Sequence, residues 1–244
     1  MLYSRQLHND GYATIKHQGF TMPPRPQVTK EQLIEAALNI AREKGFEKVT
    51  AREVGKSLGM SSRPVFTYYS GMQELKADVY KAAYDKYVKF VEEGLKDKYP
   101  FRASGRRTIK FVQQEPGLFK LLCYPYEEDP DPSSTIGSFA FFEQNYELIK
   151  PTITREYGLQ DEDAKCFFRN VWLFTLGIAM LIISGSCPYS DEEIFRIMSE
   201  ISLSSCKIYK EYPGLSSGNV NVGRIFAQVL GDPKDDLKRP PEES

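Results

Sequence analysis

Between Val28 and Leu75 three stretches of helical periodicity follow one another with very little connecting chain, and each opens on a residue able to cap it. Thr29-Lys30-Glu31-Gln32 has the form of a capping box, in which the Thr29 hydroxyl accepts an orphan N–H at the helix start. Leu33, Ala36, Ala37, Ile40 and Ala41 then recur at helical spacing, and Gly45 supplies the stop. Phe46 and Val49 read as a link packing back on the core. Thr50-Ala51-Arg52-Glu53 is a second capping box, opening a short helix to about Leu58. Gly59-Met60 makes the turn, and Ser61 is expected to cap a third helix reaching about Tyr69. Pro64 lies in that helix's first turn, where a missing N–H costs least. Three short helices with a tight second-to-third connection have helix-turn-helix geometry.

From Met72 the pattern changes to long helices. Leu75, Val79, Ala82, Ala83, Tyr87, Phe90 and Val91 give one amphipathic helix to about Lys96. Tyr99-Pro100 and Pro116-Gly117 bracket a helix around Gly105 to Gln114, and a shorter one follows to Cys123. The acidic, proline-rich stretch Pro125 to Pro132 reads as a loop. Helices are then expected over Ser133 to Tyr157, Asp161 to Ser184 and Ser190 to Tyr212, with Asp161 and Ser190 as N-caps, and a last short one over Asn219 to Leu230. No run of alternating strand residues competes with these, so the expected fold class is all-α. Residues 1–27 lack sustained periodicity and end in Pro23-Pro24-Arg25-Pro26; they are expected to be a disordered arm, or an extension upstream of a start at Met22. Residues 231–244 read as a disordered polar tail.

The composition narrows the chemistry. With 32 basic and 33 acidic residues the chain is no polycation, so affinity for nucleic acid would have to come from a local patch. The histidines, His8 and His17, both lie in the first twenty residues, which removes most hydrolytic triads and histidine-bearing zinc sites from the remainder. There is no dinucleotide fingerprint, phosphate-binding loop or nucleophile elbow; no enzyme activity, cofactor or metal site is read. Cys123, Cys166, Cys187 and Cys206 are far apart and form no CxxC pair, which suits reduced thiols in a cytoplasm. The first residues show no apolar leader pattern, so secretion is not expected, and the apolar run Val171 to Ile183 spans about 20 Å as a helix, short of a bilayer core of about 30 Å. No membrane partner is expected.

The residues Ile34-xx-Ala37-xxx-Ala41-xxx-Gly45-Phe46-xxx-Thr50 and Val54-xxx-Leu58-Gly59-Met60-Ser61-xxxx-Phe66-xx-Tyr69, followed by Gln73-Glu74-Leu75, resemble the TetR family of bacterial transcription regulators. The resemblance covers about fifty residues in register, with glycines, caps and core positions agreeing. It implies a helix-turn-helix DNA-binding domain over residues 28–75 and a helical ligand-binding and dimerisation domain over 76–230. The implied function is a homodimeric repressor, cytoplasmic and nucleoid-associated, that binds a palindromic double-stranded DNA operator and leaves it when a small apolar or aromatic effector binds.

Thr50 would cap a helix whose N-terminus can face a phosphate, with Arg52 beside it; the plainer alternatives are a cap alone and a solvated charge. Val65 and Tyr69, four apart, should face inward, turning Arg63, Thr67 and the edge of Phe66 outward, with Ser62 at the helix start; these are the expected readers of base edges in the major groove, and Ser61 and Pro64 beside them are further expected DNA contacts. Arg63 is best suited to guanine, and Phe66 reads equally well as core. In the family the position of Tyr68 often contacts phosphate. Two departures stand out: Met72 occupies the place of a lysine that commonly grips phosphate, and Gly71 before it adds no charge.

In the second half the last two long helices are expected to pair with their symmetry mates. Of the many aromatic residues there, Phe119, Phe139, Phe142, Tyr146 and Trp172 are the candidates for lining an effector cavity, the others being ordinary core. Two alternatives remain beside this reading: a thiol-based redox regulator of the same fold, and a helical ligand-binding protein or enzyme whose helix-turn-helix is vestigial.

Overall fold

The Thr29 hydroxyl accepts the Gln32 N–H at 3.2 Å while the Gln32 side chain accepts the Thr29 N–H at 2.9 Å, so the first box closes in both directions. A computed structural model describes residues 28–124 and 138–231, the side chains of Ser138 and Phe139 excepted. The arm 1–27, the loop 125–132, the start of the seventh helix at Ser133 and the tail from 232 lie outside the described residues. Helix α1 (Lys30–Lys44) ends at Gly45, whose φ of 99° is open to glycine and strained for other residues, and a 3₁₀ turn (Phe46–Lys48) follows. Then come α2 (Ala51–Ser57), α3 (Val65–Tyr68), α4 (Met72–Leu95), α5 (Pro100–Gln114) and α6 (Pro116–Cys123). The second described stretch holds α7 (Ser138–Tyr157), α8 (Asp161–Ile183), α9 (Asp191–Glu211) and α10 (Val222–Leu230). Among the described residues there is no strand, and the all-α expectation holds.

The 24 residues of α4 make a rod of about 36 Å that runs from the short N-terminal helices into the body. Helix α5 packs along it, and the approach is close: a Cβ on Gly94 would lie 2.7 Å from the Ser104 nitrogen. Around this pair the core is aromatic. Tyr87 meets Phe111 and Phe141 edge-on at 5.4 and 5.0 Å, and Phe141 meets Trp172 at 5.2 Å. Tyr87 is fully buried yet satisfied, its hydroxyl lying 3.1 Å from both Thr108 Oγ1 and Asn145 Oδ1.

Several local expectations change. Thr50 accepts the Glu53 N–H, but the Glu53 carboxylate turns to Lys44 at 3.5 Å instead of closing the box. Helix α3 is only four residues long, begins after Pro64, and has no side-chain cap from Ser61. Asp161 is not a cap but the first residue of α8, in the left-handed region at φ 47°, and Gln160 precedes it without a capping bond. Ser190 does cap α9, in a box with Glu193. Helix α8 is 23 residues long, about 35 Å, so by length and apolarity it could cross a bilayer. Its apolar residues Phe167, Val171, Ile178 and Ala179 are buried against the rest of the fold, which makes it a core helix here.

Candidate nucleic-acid interface and interior cavity

The α2–α3 connection is built on two glycines with different jobs. Gly59 adopts φ 68°, reversing the chain so that Met60 N–H reaches Gly55 O at 2.9 Å. Gly55 is needed for space: a Cβ there would sit 2.5 Å from the Ser61 carbonyl oxygen. Its role was not read from the sequence, because a glycine inside a helical run carries no local signal of what will lie above it.

On α3, Val65 is fully buried and Tyr69 is 4 % exposed, which leaves Phe66 55 % exposed and Arg63 and Thr67 on the same open side. The inward and outward faces fall where the spacing predicts, and Phe66 is not core. Ser61 is exposed, while Ser62 and Pro64 are half-buried; the Ser62 carbonyl accepts the Val65 N–H and thereby starts the helix. Thr50 and Arg52 lie exposed at the α2 N-terminus. Lys48 and Lys56 flank them, exposed and with no ion-pair partner among the described residues; they were not singled out in the sequence. Tyr68 is partly exposed, but its hydroxyl donates to the Val28 carbonyl at 2.8 Å and so ties α3 to the chain entering α1.

The recognition-type helix is anchored to its neighbours by a polar knot. Tyr69 donates its hydroxyl to Asp78 Oδ2 at 3.0 Å, Lys30 pairs with the same oxygen at 2.8 Å, and the Lys30 ammonium lies 5.0 Å from the Tyr69 ring centre. Partial burial pushes the Asp78 pKa up, but the bonds from Lys30 and Tyr69 outweigh it and hold the carboxyl below its usual value. One knot thus joins α1, the end of α3 and the first turns of α4.

The same frame touches the body at a second point. Arg42 Nε donates to Glu115 Oε2 at 2.7 Å, and Gly117 lies so close to α1 that a Cβ would stand 2.1 Å from the Arg42 carbonyl oxygen. Helix α6 therefore rests directly on the backbone of α1.

Inside the body a narrow cavity of about 60 Å³ opens between α5, α7, α8 and α9. Phe101, Phe168 and Phe195 line it with Trp172; Ser104, Thr108, Asn145, Thr175 and Ser202 supply buried polar groups, and Arg102 and Arg106 stand at the exposed side. Of the aromatic residues singled out in the sequence, only Trp172 lines this cavity. Phe119 is fully buried against Phe141 and Trp172, and Tyr146 packs on Phe142 and Phe168; neither lines this cavity, both belonging to the continuous aromatic core. Phe142 faces a separate groove of 470 Å³ on α7 and α8, and the Phe139 side chain lies outside the described residues. The signal that was missed is polar: Ser104 and Thr108, one turn apart, interrupt the buried face of α5, and Asn145 interrupts that of α7.

Comparison with known proteins agrees with this geometry. Residues 33–79 match the model for bacterial regulatory proteins of the tetR family. No curated protein sequence matches the chain. Among solved structures, a transcriptional regulator from Rhodococcus sp. Rha1 is similar in fold, with 15 % identity, a TM-score of 0.52, and coverage of 74 % of this chain and 97 % of that one. Mycobacterium smegmatis BioQ aligns with 16 % identity and a TM-score of 0.49, over 74 % of this chain and 99 % of its own. The matched module, folded around the Gly55–Gly59 turn and presenting α3, is a helix-turn-helix similar to that of the bacterial regulatory proteins of the tetR family.

Proposed function

We propose that the protein is a ligand-responsive transcriptional repressor that binds a palindromic operator as a homodimer and leaves it when a small molecule occupies the cavity between α5, α7, α8 and α9. The observation that carries this reading is the open face of α3 on a frame bonded, through Arg42–Glu115 and Gly117, to the body that holds the cavity. On DNA, Ser62, Arg63, Thr67 and Phe66 read base edges, while Thr50, Arg52, Ser61 and Pro64 meet the backbone; Tyr68 reaches a phosphate by exchanging its hydroxyl bond to the Val28 carbonyl. The cavity is smaller than a drug-sized ligand needs, so occupancy favours a state in which α5 and α9 have moved apart. The contacts of α4 with α5 and of α6 with α1 then carry that displacement to the helix-turn-helix.

Two protomers are needed because one four-residue helix reads few bases, and dyad-related copies reach half-sites about 34 Å apart. Helices α8 and α9 supply the face: Leu173, Leu181 and Leu203 are 60, 38 and 65 % exposed, more than ordinary surface requires of aliphatic side chains. In this reading the protein is cytoplasmic and non-enzymatic, with residues 28–75 and 76–230 as its two functional parts. A redox mechanism through Cys123, Cys166 or Cys206 is disfavoured, since all three are buried and burial pushes their thiols up and away from the reactive thiolate.

The test is a gel-shift and footprint with the full chain on DNA upstream of its own gene, with random duplex as competitor. Protection of an inverted repeat is expected. Protection of a single asymmetric half-site, or none above random DNA, would overturn the dimeric operator reading.

A further inference from the structure

We infer that the effector is an amphiphilic carboxylic acid, its apolar body held between Phe168, Val171 and Met198 and its carboxylate held by Arg102 and Arg106. The inference rests on reading the cavity as the effector site and deepens it. Two kinds of observation support it, the charge of the walls and the state of their hydrogen bonds.

Arg102 and Arg106 are four apart on α5, hence on one face one turn from each other, and both line the cavity from its exposed side. Neither has an ion-pair partner among the described residues, and no Asp, Glu or Lys lines the cavity. The Arg106 guanidinium is held over the Phe195 ring at 4.8 Å, so its position at the mouth is set by α9 and not left to solvent. A cationic ligand would meet two like charges there. A neutral ligand would leave two guanidinium forks beside it unused, whereas a carboxylate matches such a fork with parallel N–H···O bonds.

The inner wall offers mostly lone pairs, with one exception. Thr108, Thr175 and Ser202 donate their hydroxyl protons to the carbonyls of Ser104, Val171 and Ser199. Asn145, 3 % exposed, uses its Oδ1 to accept from Tyr87, and its amide N–H groups have no acceptor among the described residues. Asn145 therefore offers a donor for a second oxygen on the ligand, and Phe101, Ile149, Phe168, Val171 and Met198 supply the apolar contacts.

Trp172, the single tryptophan of the chain, lines the cavity and reports occupancy directly. The experiment is a fluorescence titration of the full-length protein with decanoate and 4-phenylbutyrate, each against its neutral amide and against decylamine, followed by release of a bound duplex. Wild type is expected to bind the acids at least about tenfold more tightly than the amides. The double variant Arg102→Gln/Arg106→Gln, altered only at exposed positions, is expected to lose that preference while still binding the amides, and Arg102→Lys/Arg106→Lys to recover part of it. Because Trp172 also faces the α7–α8 groove, where Lys165 and Arg169 stand, loss of preference in the α5 variant is what assigns the acid to the cavity. Amides or amine binding as tightly as the acids would overturn the carboxylate assignment and leave the cavity as an effector site of other chemistry. No binding by any of these probes would overturn both.

Discussion

Replacing Gly117 by alanine tests the contact through which the body meets the DNA-binding frame. The residue sits in the first turn of α6, and no positive φ makes alanine unsuitable; the obstacle is space alone. The new Cβ would lie 2.1 Å from the Arg42 carbonyl oxygen, 2.9 Å from its carbon and 3.1 Å from its Cα. These are backbone atoms of α1 and cannot rotate aside. Restoring an ordinary carbon–oxygen contact of about 3.3 Å requires α6 to retreat by about 1 Å. Overpacking of this kind costs about 1–3 kcal/mol, against which the helix propensity of alanine returns at most about 1 kcal/mol. In a chain of this size the net loss lowers the melting temperature by a few degrees, at about 2–4 °C per kcal/mol. The retreat also pulls Glu115 from Arg42, so DNA affinity should fall further than stability does. Gly105→Ala is the control: its new Cβ meets only the flexible end of Met198, at 3.2 Å, and the substitution should be neutral or stabilising. Calorimetric melting of both variants, with duplex binding at a temperature where each is folded, measures the effect. A Gly117→Ala protein that melts at or above wild type would refute the steric reasoning.

Other consequences follow from the same geometry. Asp78 has a depressed pKa, so its contribution is present above the unfolded carboxyl value and is lost as pH falls through the folded one. The melting-temperature gap between wild type and Asp78→Asn should be open at neutral pH and close in acid below about pH 4; a gap independent of pH would contradict the Lys30–Asp78–Tyr69 knot. Gly55→Ala places a Cβ 2.5 Å from the Ser61 oxygen, and should abolish specific DNA binding while the circular dichroism of the body persists; retained affinity would show that the turn can open harmlessly. Leu173→Glu/Leu203→Glu should convert a dimer to a monomer in light scattering, whereas an unchanged mass would move the dimer face elsewhere.

The DNA-binding half was legible in the sequence because its determinants are local. Thr29, Gly45, Thr50 and Gly59 act on neighbours within a few residues, and the burial of Val65 and Tyr69 follows from helical spacing alone. What escaped was set by parts of the chain distant in sequence: Gly55 under Ser61, Gly117 against Arg42, the Tyr68 hydroxyl on Val28. The length of α3 escaped for another reason. Ser61 and Ser62 look like caps, yet Pro64 can start the helix with no side-chain bond, using the Ser62 carbonyl. In the body, aromatic content pointed to an apolar pocket, but rings such as Phe111, Phe119 and Phe141 fill the core, and the cavity is set apart from it by polar residues on buried faces. An aromatic count does not separate a packed core from a lined cavity; a buried Asn145 or Thr108 at helical spacing is the better marker.

We propose that the open face of α3 reads DNA sequence. Selection of bound fragments from sheared genomic DNA, carried out in parallel with wild-type protein and Arg63→Ala, tests it most directly. Wild type is expected to enrich a small set of fragments sharing an inverted repeat, and Arg63→Ala to weaken binding to them by about 1–3 kcal/mol with specificity relaxed at one position in each half-site. Identical enrichment by the two proteins would remove Arg63 from the reading face, and no enrichment by wild type over input DNA would contradict the claim itself.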